Sequence, residues 1–248
     1  MINLNRDTVV PLYHQLSEIL KELIQSGQIP AGTKLPSERE LMDRYHLSRN
    51  TVRQAIDLLV HDGFVYQDHG KGNYSIGPFL NIQYRIDTFV EHSEFLRRVG
   101  STPTYKNFGT DEIVAPEEVR KALRLGENEL VVCFTKLFFA NNEPAILTLD
   151  YLPRKLLGDN YDRTGSGDAY IRLLEEINGR MVKFTLSDIV AMNATQEIAE
   201  YLNLTPGSSI LLFQETFLDP SKNVPLGFAS NYYHPNIHFR ILRHRLNP

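Results

Sequence analysis

The sequence predicts an α+β protein in two parts: three helices and a hairpin, then a larger domain around an antiparallel sheet. Three observations predict this arrangement. Apolar residues recur at helical spacing between Pro11 and Ser26. Two helix starts lie close together within residues 36–53. Beyond residue 88, helical patterns alternate with long strands that are separated by turn sequences.

The composition is that of a globular protein without internal cross-links. The chain has 248 residues, of which 42% are hydrophobic and 23% are charged, enough for one large domain or two ordinary ones. The single Cys133 excludes an intramolecular disulfide, and no apolar run reaches membrane-spanning length. With no signal peptide, these features predict a cytoplasmic protein that does not enter a membrane.

The net charge of −4 argues mildly against a nucleic acid partner, and residues 1–77 are close to neutral. DNA binding would therefore depend on a few basic side chains placed together, rather than on a broad basic field. The candidates are Arg39, Arg49, Arg53 and Lys71, which would have to converge on one face.

The first predicted helix extends from Pro11 to Ser26. Leucines and isoleucines follow helical spacing along it, so one side is apolar and packs inward. Proline is well tolerated in a first helical turn, and Gly27 is a natural end for this helix.

Two further helices are predicted next to each other, at about 37–46 and about 48–61. Ser37 and Glu40 have the S-x-x-E spacing of a capping box, and Ser48 can cap the second helix of the pair. A helix, a tight turn and a second helix with a polar first turn place side chains in a DNA major groove in many proteins. We therefore expect this segment to contact DNA.

Two short strands are predicted after these helices, at 64–67 and 73–76. Residues 68–72, Asp-His-Gly-Lys-Gly, form the hairpin tip between them. Three helices followed by a hairpin make a winged helix, which we assign to residues 1–76. A linker is predicted at 77–87.

The C-terminal domain, residues 88–248, is predicted to be built around an antiparallel sheet. Turns at Asn141-Asn142 and at 220–223 join strands into hairpins. The polar segment 158–168 is predicted to be a flexible loop, either a lid or an ordinary surface loop. Predicted helices cover about 88–99, 116–124, 168–178 and 195–202, and predicted strands cover about 103–112, 129–140, 144–152, 183–193, 208–218, 224–234 and 237–245.

Four segments of the N-terminal domain carry a recognisable pattern: Leu35-Pro-Ser-Glu-Arg-Glu-Leu, Ser48-Arg-Asn-Thr-Val-Arg-Gln-Ala, Asp62-Gly-Phe-Val and Gly70-Lys-Gly. Together they resemble the GntR family of bacterial transcription regulators over about residues 10–76. The resemblance implies a dimer in which each winged helix binds half of a near-palindromic operator.

The C-terminal domain carries weaker motifs in a consistent order: Ala115-Pro-Glu-Glu-Val, Ala140-Asn-Asn-Glu-Pro, Tyr151-Leu-Pro and Thr205-Pro-Gly-Ser. They resemble the UTRA effector domain of the HutC branch, whose fold is similar to that of chorismate lyase. This resemblance implies that a small molecule binds the C-terminal domain and changes the affinity for DNA.

The resemblance also implies which residues contact DNA, and the chemistry of Arg39, Arg49 and Arg53 agrees. A guanidinium group can bind guanine O6 and N7 through two hydrogen bonds or clamp a phosphate. The alternative is that these arginines only form a solvated helix face. The other predicted DNA-contacting residues lie at the start of the third helix and on the wing, and they are Ser48, Asn50, Thr51, His69, Gly70 and Lys71.

Many relatives with this C-terminal domain bind phosphorylated sugars, and this sequence departs from their pattern. Their Arg-x-Arg pair corresponds to Lys136 and Phe138 here, and their Ser-x-Tyr pair corresponds to Asp168 and Tyr170. A glutamate common among them is Thr148 here. A carboxylate repels a phosphate dianion, so we expect an effector with an amine or quaternary ammonium group, or a zwitterion.

The candidate effector-binding residues combine acids, one lysine and aromatic rings that suit a cation. In one alternative, the acids only cap a helix, as Asp168 is placed to do, or face solvent. In the other, the effector is a sugar phosphate held by Lys136 and backbone amides. The full set is Phe89, Lys136, Phe138, Thr148, Asp150, Asp168, Tyr170, Glu215 and Tyr233.

The sequence contains no Ser/His/Asp arrangement, phosphate loop or metal-binding cluster, so we predict neither an enzyme nor a cofactor. His234 and His238 are four apart in a predicted strand, where that spacing does not build a compact metal site. The predicted function is a ligand-responsive repressor that binds double-stranded operator DNA as a homodimer. The competing interpretations are an enzyme with a lyase-like C-terminal domain and a DNA-architectural protein without an effector.

Overall fold

The computed structural model describes residues 4–6, 8–68, 70–76, 86, 89–157, 170–179, 182, 184–219 and 224–239. The chain forms two compact units, one from the described residues up to 76 and the other from those between 86 and 239. The first unit holds helices and a hairpin, and the second a six-stranded sheet with helices. The predicted fold class is confirmed. None of the described helices combines the length and the hydropathy needed to cross a membrane.

The N-terminal unit is a three-helix domain with an antiparallel hairpin. Its core contains Leu16, Leu20 and Ile24 from the first helix and Val52 and Ile56 from the third. The apolar side expected for the first helix is therefore buried. The elements are α1 (Leu12–Gln25), α2 (Glu38–Tyr45), α3 (Arg49–His61), β1 (Val65–Asp68) and β2 (Gly72–Ser75).

The starts of α2 and α3 have the polar caps that the sequence predicts. Ser37 Oγ accepts from Glu40 N at 3.3 Å, and Glu40 Oε2 accepts from Ser37 N at 2.7 Å, which completes the capping box. His46 ends α2 in the left-handed region at φ 52°. Ser48 Oγ then accepts from Thr51 N at 3.2 Å and starts α3. These caps fix where α2 and α3 begin.

The C-terminal unit is built around a fully antiparallel six-stranded sheet, whose strands lie in the order β3 (Pro103–Val114), β4 (Leu130–Ala140), β5 (Glu143–Pro153), β8 (Val224–Tyr233), β7 (Ser209–Asp219) and β6 (Phe184–Asn193). Asn141 and Asn142 both have positive φ, at 52° and 70°, and form the predicted tight turn between β4 and β5. The unit also includes the helices α4 (His92–Arg98), α5 (Glu117–Leu123), α6 (Tyr170–Asn178) and α7 (Gln196–Leu202).

Helices cover both faces of the sheet. Phe95 and Leu96 of α4, with Leu174 of α6, pack on one face, and α5 and α7 pack on the other. The central strands are therefore buried on both sides, as sheets between two helical layers are. The face under α4 and α6 carries the polar side chains of the candidate effector site.

The structure differs from the predicted elements at two places. The helix predicted at 88–99 begins only at His92. The prediction started too early because Phe89 and Val90 extend the apolar pattern of the helix but are not part of it. The described residues of the last predicted strand, 237–239, are not in a strand; Phe239 stacks on Phe95 with ring centroids 5.6 Å apart. The loop 158–168, the turn 220–223 and nearly all of the linker 77–87 lie outside the described residues.

Candidate DNA interface and effector pocket

The first turns of α3 present two of the predicted arginines. Arg49 and Arg53 are one turn apart and so lie on the same face, with side chains 70% and 65% exposed. Glu38 of α2 approaches both of them, with Oε1 3.5 Å from Arg53 Nε and Oε2 3.9 Å from Arg49 Nε. Exposed ion pairs of this kind contribute at most about 1 kcal/mol, so a phosphate or a base edge can displace them.

The other predicted DNA-contacting residues are also at the surface of this unit. Arg39 is 89% exposed and lies 4.0 Å from Asp43. The Ser48 and Thr51 hydroxyls are 2.8 Å apart at the start of α3. Asn50, in the same turn of α3, is exposed.

On the wing, Lys71 donates to Asp68 Oδ2 at 3.1 Å, and this hydrogen bond raises the pKa of Lys71. Gly70 has φ +80° with open space where a Cβ would stand, so the tip is free of steric contact there. His69 lies outside the described residues. The wing therefore offers one exposed cation beside an uncrowded backbone.

A pocket lies on the face of the sheet that α4 and α6 cover. Its empty volume of about 360 Å³ includes open solvent at its mouth, and the cavity itself is only about 30 Å³. Six of the predicted effector-binding residues line it: Phe89, Lys136, Phe138, Asp150, Tyr170 and Glu215. Six lining residues were not predicted: Glu91, His92, Ile171, Phe217, Ala229 and Asn231.

The other predicted effector residues are not among those that line this pocket. Thr148 is fully buried between Lys136 and Asn231 in the strand register, and its hydroxyl has no hydrogen-bond partner in the described part of the chain. Tyr233 packs its ring on Phe213 at 4.7 Å instead. Asp168 lies outside the described residues.

A buried ion pair forms one wall of the pocket. Lys136 Nζ lies 3.6 Å from Asp150 Oδ2, and the two side chains are only 4% and 8% exposed. Lys136 of β4 lies opposite Thr148 of β5, and Asp150 lies two residues from Thr148, so Lys136 and Asp150 are diagonal neighbours on the same face of the sheet. The lysine charge is thus compensated within the protein.

Glu215 forms the second polar wall. Its carboxylate accepts from Ser187 Oγ at 2.8 Å and from Asn231 Nδ2 at 2.7 Å. Asn231 Oδ1 in turn lies 3.2 Å from His92 Nε2 of α4. Burial, with a further contribution from nearby Asp150, raises the pKa of Glu215 to about 7, although both hydrogen bonds act to lower it.

The position of Tyr170 in the pocket wall depends on Gly227, which has no side chain. Tyr170 donates its hydroxyl hydrogen bond toward the Tyr151 carbonyl at 2.8 Å, with the Phe228 carbonyl at 3.3 Å, and burial raises its pKa. A Cβ on Gly227 would stand 2.2 Å from this hydroxyl oxygen. Only glycine therefore leaves room for the ring, as is usual where a glycine interrupts a strand.

Strand alternation is the signal that was available for the missed residues. Phe217 lies two positions from Glu215 on β7, and Asn231 lies two positions from Tyr233 on β8, so each pair shares a face. His92 is the first residue of α4 and Glu91 precedes it, so the place of both depends on how that helix packs. In the described residues, no group of three or more His, Cys, Asp or Glu side chains is arranged to hold a metal ion.

Comparison with known proteins identifies both units. The sequence model of the bacterial regulatory proteins of the gntR family matches residues 12–74, and that of the UTRA domain matches residues 98–238. The chain is 27% identical to the transcriptional repressor NagR of Bacillus subtilis over 215 residues, 87% of each chain. It is 31% identical to the transcriptional regulator Rv0792c of Mycobacterium tuberculosis, over 84% of this chain and 76% of that protein.

The fold is also found in a solved structure. The crystal structure of the possible transcriptional regulator YydK from Bacillus subtilis superposes with a TM-score of 0.71 and 18% identity, covering 94% of this chain and 99% of that one. These relatives are regulators and not enzymes, so the prediction that this chain is not an enzyme is confirmed.

Proposed function

Because this chain belongs to the GntR family and is a ligand-responsive transcription regulator with a UTRA domain, we propose that it represses transcription as a dimer on a near-palindromic operator. The observation that carries the DNA-binding part is the exposed start of α3, where Arg49 and Arg53 stand side by side. Such a regulator works where the chromosome is, so the proposed compartment is the cytoplasm.

In this proposal, α3 enters the major groove and the hairpin β1–β2 follows the neighbouring backbone or minor groove. Arg49 and Arg53 contact bases or phosphates, and Arg39 on α2 binds the backbone. The remaining proposed contacts, Ser48, Asn50, Thr51, His69, Gly70 and Lys71, position the helix and the wing.

The proposed dimer forms through the C-terminal sheet. Strand β6 is an edge strand of ten residues, and Phe184, Leu186, Ile189 and Val190 are exposed on it. Long edge strands with exposed apolar residues pair readily with another chain. A twofold dimer would place two copies of α3 about 34–36 Å apart, one DNA turn, or a multiple of it.

The proposed effector site is the pocket between the sheet, α4 and α6. Its acids and aromatic rings favour an amine or a zwitterion. The second candidate is a sugar phosphate, which is supported by Lys136 among the lining residues. Asp168, Thr148 and Tyr233 stay proposed contributors, although only the last two are described. Effector binding and DNA binding would be coupled through the linker at 77–87, and the coupling is reciprocal.

Selection of duplexes from a random library with the full-length protein tests the DNA-binding part. We expect enrichment of a near-palindrome whose half-sites are spaced by one helical turn or a multiple. If no sequence is enriched, the proposed DNA binding is contradicted.

The proposed dimer interface is tested by Leu186→Lys. This substitution should lower the molar mass in solution from that of a dimer to that of a monomer, and Asp188→Asn on the same strand is the control. An unchanged molar mass would exclude β6 as the interface.

Thermal unfolding against a metabolite panel tests the effector part. A ligand that binds only the folded state raises the melting temperature by mass action, by an amount that grows with concentration. The same ligand should change the affinity for the selected duplex. A ligand that stabilises the protein but leaves DNA affinity unchanged would contradict the coupling.

A further inference from the structure

The effector pocket holds more carboxylates than cations. Among its described lining residues, Glu91, Asp150 and Glu215 are acidic, whereas Lys136 is the only lysine or arginine. Charges that face the same small, partly enclosed space interact more strongly than surface charges do. Because Lys136 pairs with Asp150, Glu215 is the buried acid of the described lining that a positively charged guest would compensate.

Lys136 is poorly placed to attract an anion. Its ammonium group lies 3.6 Å from the Asp150 carboxylate, and both side chains are almost completely buried. An anionic ligand group that approached Lys136 would meet this carboxylate at the same time. Separating a buried pair is unfavourable because it leaves a charge without compensation.

Glu215, unlike Lys136, makes its hydrogen bonds with uncharged groups. Both of its hydrogen-bond donors, Ser187 and Asn231, are uncharged. The side chain is buried on the pocket wall, no lysine or arginine in the described part of the chain forms an ion pair with it, and burial raises its pKa to about 7. A cation that entered the pocket would remove this penalty.

Aromatic rings surround the same space. Phe217 lies two residues from Glu215 on β7 and therefore on the same face, and its ring meets Phe89 at 5.8 Å and Tyr170 at 5.4 Å between centroids. A cation within about 6 Å of an aromatic ring face is attracted by the ring's quadrupole, most strongly in sites shielded from water.

We propose that the pocket binds a compact organic monocation, such as a quaternary ammonium group, with Glu215 as its counter-ion and with Phe89, Tyr170 and Phe217 around it. This inference rests on the proposed function and narrows it. It selects a cation over a zwitterion or a phosphate, because Lys136 is already paired.

Calorimetric titration of the full-length protein with choline tests the inference. The neutral isostere 3,3-dimethylbutan-1-ol, in which carbon replaces the nitrogen, serves as the matched ligand, and glycine betaine and glucose 6-phosphate represent a zwitterion and a phosphosugar. We expect choline to bind at least about tenfold more tightly than the isostere, a difference of about 1.4 kcal/mol. Equal binding, tighter binding of betaine or phosphosugar, or no binding of choline would overturn it.

The affinity for choline should also rise with pH through the pKa of Glu215, because choline itself does not titrate and the ionised carboxylate attracts it. Glu91, His92 of α4, Lys136 of β4, Asp150 of β5 and Tyr170 of α6 face the same space. Histidine also titrates near neutral pH, so the pH profile needs a variant to assign it.

Glu215→Gln supplies that variant, since the amide keeps the size of the side chain and can still hydrogen-bond. We expect it to weaken choline binding about tenfold or more and to flatten the pH profile. Asp188→Asn, an exposed acid on β6 next to Ser187, should change neither. Unchanged choline binding in Glu215→Gln would overturn the inference. If that variant fails to fold, the affinities of the unaltered protein for choline and for its neutral isostere still test the inference.

The two levels of the proposal fail differently. If a selected operator is released by glucose 6-phosphate and not by choline, the regulator stands and the cation site is wrong. If choline binds as expected but no operator is selected, the pocket chemistry stands and the proposed DNA-binding function is wrong.

Discussion

The Nε atom of Arg53 lies 3.5 Å from Oε1 of Glu38, so a carboxylate at the start of α2 holds an arginine of α3. The other carboxylate oxygen of Glu38 approaches Arg49. The same side chain thus lies beside two guanidinium groups, which it can orient, and adds a negative charge to the surface proposed to meet DNA phosphates.

Glu38→Gln tests the balance between these two effects. Without the negative charge, we expect binding to an unrelated duplex to strengthen a few-fold and its salt dependence to steepen, as about one more phosphate contact does. Binding to the selected operator should improve less, because the arginines are less well oriented. Fluorescence anisotropy at several salt concentrations measures both, and Glu22→Gln on the exposed side of α1 is the control. Equal gains on both duplexes would exclude an orienting role.

Arg49→Ala should lower the affinity for the selected operator by about 1–3 kcal/mol and relax the sequence preference, provided that Arg49 contacts a base. Lys71→Ala on the wing should weaken binding to all duplexes alike, with a salt slope reduced by about one. Competition binding with single-base operator variants separates the two outcomes. Arg44→Ala, which is not a proposed contact, should leave affinity and preference unchanged.

Lys136→Met should destabilise the C-terminal unit by about 3–5 kcal/mol, because Asp150 then loses its buried cationic partner. Adding Asp150→Asn should restore much of the loss, since it removes the uncompensated charge. Urea unfolding followed by circular dichroism gives both values. Lys121→Met breaks the exposed pair with Glu117 and should change stability by less than about 1 kcal/mol; equal losses for both lysines would contradict the assignment.

Gly227→Ala should disturb the packing of α6 on the sheet and lower the stability of the C-terminal unit, because the added Cβ would clash with the Tyr170 hydroxyl oxygen. Tyr170→Phe alone removes one buried hydrogen bond, at about 1 kcal/mol. The double variant should be less unstable than the sum of the single ones, since the closest clashing atom is gone. Thermal unfolding of the four proteins measures this coupling, and strict additivity would rule out the clash.

Glu215 should make stability depend on pH in an unusual direction. Its folded pKa of about 7 is above the ordinary value of 4.5, so the folded state binds more protons between these values. Stability is therefore lost as pH rises through this window. Glu215→Gln should remove the loss, and the gain over the wild type should be largest above the folded pKa and vanish below 4.5. Urea unfolding across this range measures it; a constant difference would contradict it.

Local sequence patterns were enough to predict the elements of the N-terminal unit. The capping box at Ser37 and Glu40 and the cap at Ser48 depend on residues no more than three apart, and these contacts form in the structure. Most strands of the C-terminal unit were predicted for the same reason. The exception at 237–239 reflects packing, because the ring of Phe239 is held by Phe95 and Phe213.

The candidate effector site could be predicted only in part from the sequence. Lys136, Asp150 and Glu215 could be singled out as charged residues within apolar strands, but their partners could not be assigned. Which strand lies beside which, and in what register, is decided by long-range pairing that leaves no local signal. That pairing joins Lys136 to Asp150 and leaves Glu215 with uncharged partners.

Neighbouring residues along the chain were enough to identify the family, most of the helices and strands and the positions of Arg49 and Arg53 at the start of α3. Which charges in the pocket compensate each other became clear only from the packed fold. A pocket's charge balance depends on distances between residues far apart in sequence, such as Glu215 and His92, and only the packed sheet and α4 set those distances.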